Sequence, residues 1–410
     1  MNTLPSVNEH LARVLAAARP RIKRDVPLGD CVGQVLAADV VARFPVPPFS
    51  NSAVDGFVAH ESDLFGDGPW VLPVAGEIPA GHDAIDCPTG HAVRIMTGAP
   101  MPQQDGLHVV PVEQTNIPRG PYPLPNEVQI TSVDLGRSHI RHAGENVGVG
   151  EVVAREGTRI DAGTLAALVA TGVRTVDVFE RPTVAVVSTG DELVAWPGDI
   201  RGAQIPDSNL PMVATLLRES GYAKVFTMHA DDDTQSTEVL LQQAAQQADI
   251  VVTTGGVSAG AYDVVRTVTA SSPDMWFGHV AQRPGSPQGV GRWSEAAFIC
   301  LPGNPVAAFV SCALYAIPLL RASAGNRTRC SMDERTMVEA DVDTHFPTPR
   351  ADRHVFVPVR LHTEHGAVRA EAFAGGHGGS GFVASLPAVD GIAVLAPGTD
   401  APTRIPVMLF

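Results

Sequence analysis

Three short apolar runs, each halted at glycine, constrain what this chain can fold into more than any other feature. Val184-Ala185-Val186-Val187 leads into Ser188-Thr189-Gly190-Asp191-Glu192-Leu193. Ile250-Val251-Val252-Thr253-Thr254 leads into Gly255-Gly256-Val257-Ser258, and Phe298-Ile299-Cys300-Leu301 into Pro302-Gly303-Asn304-Pro305. Runs without polar alternation are apolar on both faces, as in parallel strands covered on both sides. Helical patterns separate them. Ser208 stands as the cap of a helix reaching Ser220 with Gly221 behind it, a strand follows over 225–228, and a second helix over 234–248. Pro305 falls in the first turn of a last long helix. Such alternation builds βαβ units with right-handed crossovers, so residues 178–329 are expected to form a doubly wound, mostly parallel sheet. Ligands on these sheets bind beyond the carboxyl ends of the strands, where the glycines collect.

The rest of the chain reads differently. Residues 6–18 predict an amphipathic helix: Ser6 and Glu9 have capping-box spacing, Val7, Leu11, Val14, Leu15 and Ala18 share a face, and Pro20 ends it. The cluster Arg19, Arg21, Lys23, Arg24 reads as a solvated edge. Prolines in Pro45-Val46-Pro47-Pro48-Phe49-Ser50-Asn51-Ser52-Ala53-Val54-Asp55-Gly56-Phe57 exclude helix and central strand. The segment is either a stiff linker delivering Ser52 and Asp55 or a loop with an Asp-Gly turn. Short strands over 70–74, 92–95, 107–112 and 128–130, with a turn at Gly76-Glu77-Ile78-Pro79-Ala80-Gly81 and an exposed excursion over 116–126, make 46–137 an inserted β domain. Asp161 caps a helix over 162–171 ended by Gly172. The two helical stretches flanking the insertion have too little apolar area for a core, which predicts an elongated linker domain over 1–45 and 138–177, completed by dimerisation. Past Gly325 the alternation of Val355, Val357, Val359 and Leu361, then strands over 368–372 and 392–395, predict a small C-terminal β-barrel over 330–410. The fold class is multidomain α/β plus β.

Net charge bounds the partners. At −15 over 410 residues, with 5% aromatics, the chain is a poor match for nucleic acid or an anionic membrane. An anionic ligand would need a local basic or metal-filled site. None of the five cysteines forms a C-x-x-C pair, so neither a zinc site nor a disulfide framework is expected. Residues 1–25 lack a signal-peptide core and no apolar run approaches the ~18 residues of a membrane span; a cytoplasmic protein is the expectation.

Chemistry gathers at the glycine turns. Gly255 and Gly256, between a strand and a helix, free backbone N–H groups to face an anion, and Gly303-Asn304-Pro305 repeats the arrangement. Either alone is equally a tight βα turn; two on one sheet edge point to an anion site. Asp191 and Glu192 follow the first strand, Asp231 and Asp232 the second, and Asp263 lies past the Gly-Gly turn. Carboxylates facing an anion repel it unless a cation lies between, and oxygen ligands suit Mg²⁺. Asp232 and Asp233 read as solvated helix caps; Glu192, inside the turn of a buried strand, does not. Gly256-Val257-Ser258-Ala259-Gly260 also matches the hydrolase G-x-S-x-G elbow, with His345 or His377 to complete a triad. Against that stand the preceding Gly255, the lack of a histidine-glycine oxyanion segment and the inserted domain. His139-x-x-His142 and His362-x-x-His365 read as surface histidines, and 375–381 as either an anion nest or a hairpin.

Together these segments are similar to the molybdopterin molybdenumtransferase family, the MoeA and gephyrin E-domain group. Carrying the resemblance are Pro47-Pro48-Phe49-Ser50-Asn51-Ser52-Ala53-Val54-Asp55-Gly56, Gly76-Glu77 with Ala80-Gly81, Arg94-Ile95-Met96-Thr97-Gly98-Ala99-Pro100, Ser188 to Leu193, Asp207-Ser208-Asn209, Gly255 to Ser258 and Leu301 to Pro305. The resemblance implies four domains in an elongated homodimer, with the inserted domain of one subunit closing over the sheet edge of the other. It implies small-molecule substrates: molybdate and adenylylated molybdopterin, whose phosphoanhydride is cleaved with Mg²⁺ to release AMP while molybdenum passes to the dithiolene sulfurs. Glu192, Asp231 and Asp263 are the implied metal and catalytic residues, with Asp55 and Thr97 reaching in from the partner subunit. Implied at the substrate are Ser188, Gly190, Asp207, Ser208, Asn209, Gly255, Gly256, Ser258, Arg283, Pro302, Gly303, Asn304 and Ser380. Transient contact with a molybdopterin adenylyltransferase or a molybdoenzyme chaperone is a further implied partnership.

Three positions depart from the family pattern. Lys-Pro-Gly-Lys-Pro is frequent there, where this chain has Arg283-Pro284-Gly285-Ser286-Pro287, one cation fewer and a guanidinium for an ammonium. Ala261 stands where a glutamate is frequent. Other functions share parts of the pattern: a pyridine-nucleotide amidohydrolase or a molybdopterin adenylyltransferase would use the sheet domain without the Pro-Pro-Phe-Ser insertion, and a gephyrin-like scaffold would bind a peptide.

Overall fold

A computed structural model describes residues 4–230, 233–257, 264–342, 346, 350–372, 381–398 and 403–410. The chain forms two compact units, Met1–Ala38 with Glu156–Asp161 and Asp177–Phe410 in one, and Asp39–Arg155 with Ala162–Val176 in the other.

The first unit opens with α1 (Val7–Ala16), started by the full capping box. Glu9 N–H donates to Ser6 Oγ at 3.2 Å and Ser6 N–H to the Glu9 carboxylate at 2.6 Å. The helix was expected in the linker stretch of residues 1–45. It packs instead into the α/β unit, where the sheet offers its apolar stripe a partner: Val7, Leu11 and Val14 are buried in that core.

The sheet consists of β1 (Thr183–Thr189), β2 (Lys224–Ala230), β3 (Ile250–Thr254), β4 (Trp276–His279), β5 (Pro287–Trp293) and β6 (Ala296–Leu301), in the order β2-β1-β3-β6-β5-β4. The first four in that order are parallel, and β5 and β4 add an antiparallel margin. Val184, Val186, Val252 and Ile299 face one side with α1, α2 (Asn209–Glu219) and the helix Pro305–Ser323, α5. Ala185, Val187, Val251 and Phe298 face the other, under α3 (Thr234–Gln247) and α4 (Val264–Thr269). The apolar runs lack alternation because both faces are covered. After β1 the chain passes outward to β2 and then back across β1 to β3, so the direction of strand order reverses between β1 and β3.

α5 is long and apolar enough to cross a membrane, contrary to the reading that no run approaches that length, but it is a core helix, buried along most of its course. Its middle, Cys312–Ala316, is a π-helical turn. Pro318 has no N–H for the carbonyl of Leu314, and Arg335 supplies one, donating from Nη2 to Leu314 O at 2.6 Å and from Nη1 to Ala313 O at 3.3 Å.

The C-terminal strands Met337–Asp341, His354–Glu364, Ala367–Ala372, Gly391–Leu395 and Arg404–Leu409 close into a ring, because His354–Glu364 pairs on both its edges and the others complete the circuit. Val355, Val357, Val359, Ala393, Ile405 and Val407 fill it. The short strand Gln282–Arg283 joins from outside, parallel to His354 and Val355.

In the second unit five strands pair in the order Leu107–Pro111, Gly56–His60, Ala92–Ile95, Trp70–Ile78, Glu127–Ile130, with apolar clusters around Ile95 and Val109 and around Phe57 and Val110. Gly76-Glu77, expected as a turn, belongs to the strand Trp70–Ile78, whose alternation carries through to the buried Ile78. The helix Ala162–Ala170 ends before Gly172, which has φ +77° and no room for a Cβ against the Phe44 ring.

His10 on α1 is fully buried, 4.6 Å from the Tyr315 ring and 5.1 Å from that of Trp276, with neither ring nitrogen hydrogen-bonded. Burial first, then the charge of Arg13, pull its pKa down to about 3. A depressed histidine contributes full stability above its unfolded value near 6.5, and that stability is lost as pH falls toward the folded value. The free energy of unfolding should fall by about 2 kcal/mol between pH 6.5 and 5 from this residue alone, and urea titrations should show most of that slope gone in His10→Phe. An equally steep slope in the variant would assign the acid sensitivity elsewhere.

Candidate active site

The ends of β1, β3 and β6 come level because the register aligns Ser188 with Thr254 and Thr254 with Leu301. The turns leaving them line a cleft of about 1000 Å³. Gly255 and Gly256 sit at φ +91° and +67°, where side chains are strained. A Cβ on Gly256 would stand 2.9 Å from Val265 of α4, and one on Gly303 would already touch Gly255 Cα at 3.5 Å. The two turns are thus in near backbone contact, joined by a hydrogen bond from Gly255 N–H to Leu301 O at 3.1 Å.

The first residues of α2 form a second wall. Ser208, expected as its cap, makes no side-chain cap bond. Asp207, one residue earlier, accepts from Leu210 N–H at 3.0 Å through Oδ1. Asn209 Nδ2 donates to Gly303 O at 2.6 Å, tying the helix to the β6 turn. What remains is unsatisfied: Asp207 Oδ2, Asn209 Oδ1 and Thr254 Oγ1 are buried without a hydrogen-bond partner, and all three residues line the cleft. Buried polar atoms are seldom left unpaired, so two acceptors and a hydroxyl on residues lining one cleft fit a ligand carrying N–H groups. Ser188 is buried, its hydroxyl 2.9 Å from His229 Nδ1, which lies 4.0 Å from Asp207 Oδ2.

Glu192 is exposed and lines the cleft. Its carboxylate lies over Gly190, where a Cβ would stand 2.5 Å from Oε2. Gly190 therefore serves by having no side chain. The acid turn is held by Leu193 N–H to Gly190 O at 3.1 Å and Ile205 N–H to Glu192 O at 2.7 Å.

Arg283 also lines the cleft and is exposed. Its loop rests on a layer of buried polar side chains that the sequence reading missed. Tyr315 donates to Gln282 Oε1, whose Nε2 donates to Pro284 O at 3.0 Å. Gln288 Nε2 reaches Gly285 O and Ser311 Oγ, both at 2.7 Å, and Ser286 Oγ donates to Val280 O at 2.8 Å. Burial raises the Tyr315 phenol far above its usual range. Glutamines and a tyrosine amid apolar neighbours were the signal available. Arg353 also lines the cleft and was missed; its Nε donates to both oxygens of Asp352 at 3.0 Å.

The charged side chains lining the cleft are Glu192, Asp207, Arg283 and Arg353 among the described residues, a locally balanced set in a strongly anionic chain. Pro302 and Asn304 line it as well. Among the described residues no histidine or cysteine does, so the metal-ligating side chains they place there are carboxylates, the chemistry a hard cation takes. Among the described residues no three His, Cys, Asp or Glu side chains cluster to hold a metal. Asp231, Asp263, Ser258 and Ser380 lie outside the described residues, as do His345, His377 and Ala261. In the second unit, Asp55 and Thr97 are brought together: Asp55 Oδ1 accepts from Thr97 N–H at 2.7 Å and Thr97 Oγ1 at 2.8 Å, and both residues are exposed.

A doubly wound sheet with paired glycine turns and a cleft at its reversal point is the ground plan of an α/β ligand-binding domain. Residues 185–322 match the family described as a probable molybdopterin binding domain, and residues 5–172 the MoeA N-terminal region, domains I and II. Molybdopterin molybdenumtransferase 2 of Mycobacterium tuberculosis is 39% identical over 333 residues, covering 78% of this chain and 80% of that one. The molybdopterin molybdenumtransferase of Haemophilus influenzae is 32% identical over 303 residues, 73% and 72% of the two chains. A crystal structure of the molybdopterin biosynthesis moeA protein from Pyrococcus horikoshii OT3 superposes over 100% of both chains with TM-score 0.80 at 25% identity. The chain belongs to the molybdopterin molybdenumtransferase family of enzymes.

Tyr315→Phe should leave Gln282 Oε1 buried and unpaired, at a cost of about 1–3 kcal/mol in a urea unfolding titration. A loss below about 0.5 kcal/mol would mean that the layer under the Arg283 loop is not held by this bond.

Proposed function

We propose that the protein inserts molybdenum from molybdate into adenylylated molybdopterin, with release of AMP, late in molybdenum cofactor biosynthesis. The observation that carries this reading is the unsatisfied trio Asp207 Oδ2, Asn209 Oδ1 and Thr254 Oγ1, in a cleft that also holds Arg283 and Arg353. A pterin presents N–H donors to acceptors of this kind, and its phosphates and the oxyanion need the cations. The glycine turns contribute backbone without side-chain bulk, so an anhydride can approach closely.

In the reaction, water adds to a phosphorus of the anhydride, the bridging P–O bond breaks, AMP leaves, and the proton lost by water passes to solvent. Molybdopterin keeps its own phosphate, and two Mo–S bonds form as its dithiol gives both protons to one molybdate oxygen, whose Mo–O bond breaks and which leaves as water. The chain's part is positioning and charge balance, with no covalent nucleophile. The guanidinium of Arg283 faces oxyanion charge, and its loop holds course because Gln282 and Gln288 secure it from below. Glu192, Asp231 and Asp263 would hold Mg²⁺, which when bound offsets the repulsion between these carboxylates and the anhydride. Among the described residues the cleft's carboxylates, Glu192 and Asp207, offer oxygen to a hard cation, which supports that assignment. Asp55 and Thr97 of the partner subunit and Ser380 complete the proposed site in a cytoplasmic homodimer of four-domain subunits. The product passes on through transient contact with a molybdoenzyme chaperone, and substrate arrives from a molybdopterin adenylyltransferase.

Incubating the purified protein with adenylylated molybdopterin, molybdate and Mg²⁺ should release AMP, quantified by chromatography. Glu192→Gln, which keeps size but removes the charge, should slow that release by about 100-fold. Absence of AMP from the unaltered protein would sink the transferase reading, whereas unchanged turnover in the variant would remove only the metal assignment.

A further inference from the structure

A second cavity in the first unit, of about 490 Å³, shares no residue with the cleft and lies among α2, α5 and the C-terminal strand Arg404–Leu409. Its apolar wall includes Met408 and the edge-to-face pair Phe309 and Phe410, whose ring centres are 5.6 Å apart. Three arginines line it, Arg321, Arg329 and Arg335, against one acid, Glu219. Among the described residues none of the three has a carboxylate within ion-pair distance.

The cations are placed by the fold. Arg335 is anchored by the α5 carbonyls freed at the π-helical turn, Leu314 and Ala313. Arg321 lies over the Tyr222 ring at 5.5 Å, and its Nε is buried without an acceptor. Burial, and next the charge of Arg321, lower the Arg335 pKa to about 10. Buried cations in proteins are normally paired, and neighbouring like charges in a poorly solvated wall raise one another's cost. An anion inside the cavity would relieve both, and in a chain of net charge −15 such a local excess of cations is what could admit one.

We propose that this cavity binds a small amphipathic anion, its acidic head against Arg321 and Arg329 and its apolar body against Phe309 and Phe410. The volume falls within the range of small-molecule sites, about 300–1,000 Å³. The wall combines a large apolar area with a few convergent charges, as such sites do.

The test uses the full chain and two fluorescent probes of nearly equal shape. They are 8-anilinonaphthalene-1-sulfonate, an anion, and N-phenyl-1-naphthylamine, which lacks the sulfonate. The anion should bind at a single site and more tightly than the neutral probe. Arg321→Met and, separately, the exposed Arg329→Met should each weaken the anion by about tenfold and leave the neutral probe unchanged. Urea titrations of both variants check that the fold is kept. Equal binding of the two probes, or undiminished anion binding in both variants, would overturn the proposal. So would anion affinity that falls as protein concentration rises, which would show a second chain filling the cavity.

Discussion

Everything at the cleft depends on two stretches of backbone touching. The turn after β3 and the turn after β6 meet at Gly255 and Gly303, where a Cβ on Gly303 would stand in van der Waals contact with Gly255 Cα at 3.5 Å. That approach is possible because β1, β3 and β6 are parallel neighbours in unbroken register and end at the same height. Parallel strands of this kind need helices on both faces to cover them, and the chain supplies them, with α1 recruited from its far N-terminal region to complete one layer. The cleft is therefore a property of the sheet's register before it is a property of any side chain in it.

Around this backbone floor, buried polar groups do the positioning. Asn209 bridges α2 to the β6 turn, and the layer of Gln282, Gln288, Ser311 and Tyr315 sets the course of the loop bearing Arg283. Such groups add little net stability when satisfied but are costly when one partner is lost, so they favour one arrangement over near alternatives. The helix α5 shows the same logic: an interior proline costs a hydrogen bond, a π-helical turn absorbs the misfit, and Arg335 answers the freed carbonyl.

Much of this was legible in the chain itself. The three central strands could be read because both their faces are apolar, and α1 because its cap and stripe are local signals. The β4–β5 hairpin was not, since Gly278, Gly289, Gly291 and Pro287 erase the strand pattern; a Cβ on Gly289 would stand 2.5 Å from the Phe277 ring, a demand invisible before the fold is known. The partner of α1 was misjudged because an apolar stripe says that something covers it, not what. At the site, the glycine turns and Glu192 announced themselves by position after a strand, whereas Asp207 displaced Ser208 as cap because its carboxylate reaches Leu210 N–H. Arg353 had no local signal at all. It arrives through pairing of Gln282 and Arg283 with His354 and Val355.

The loop at Arg283 is steered from underneath, by the buried amides of Gln282 and Gln288 and the phenol of Tyr315. Its outward side chains are consequently released from any duty to shape the chain. A lysine could be traded for the exposed Arg283 with the path intact and only the local potential changed, whereas Ser286 stays tied to the path through its bond to Val280 O. A scaffold built this way lets charge at the substrate be retuned one residue at a time, while the part that must not vary stays hidden in the core.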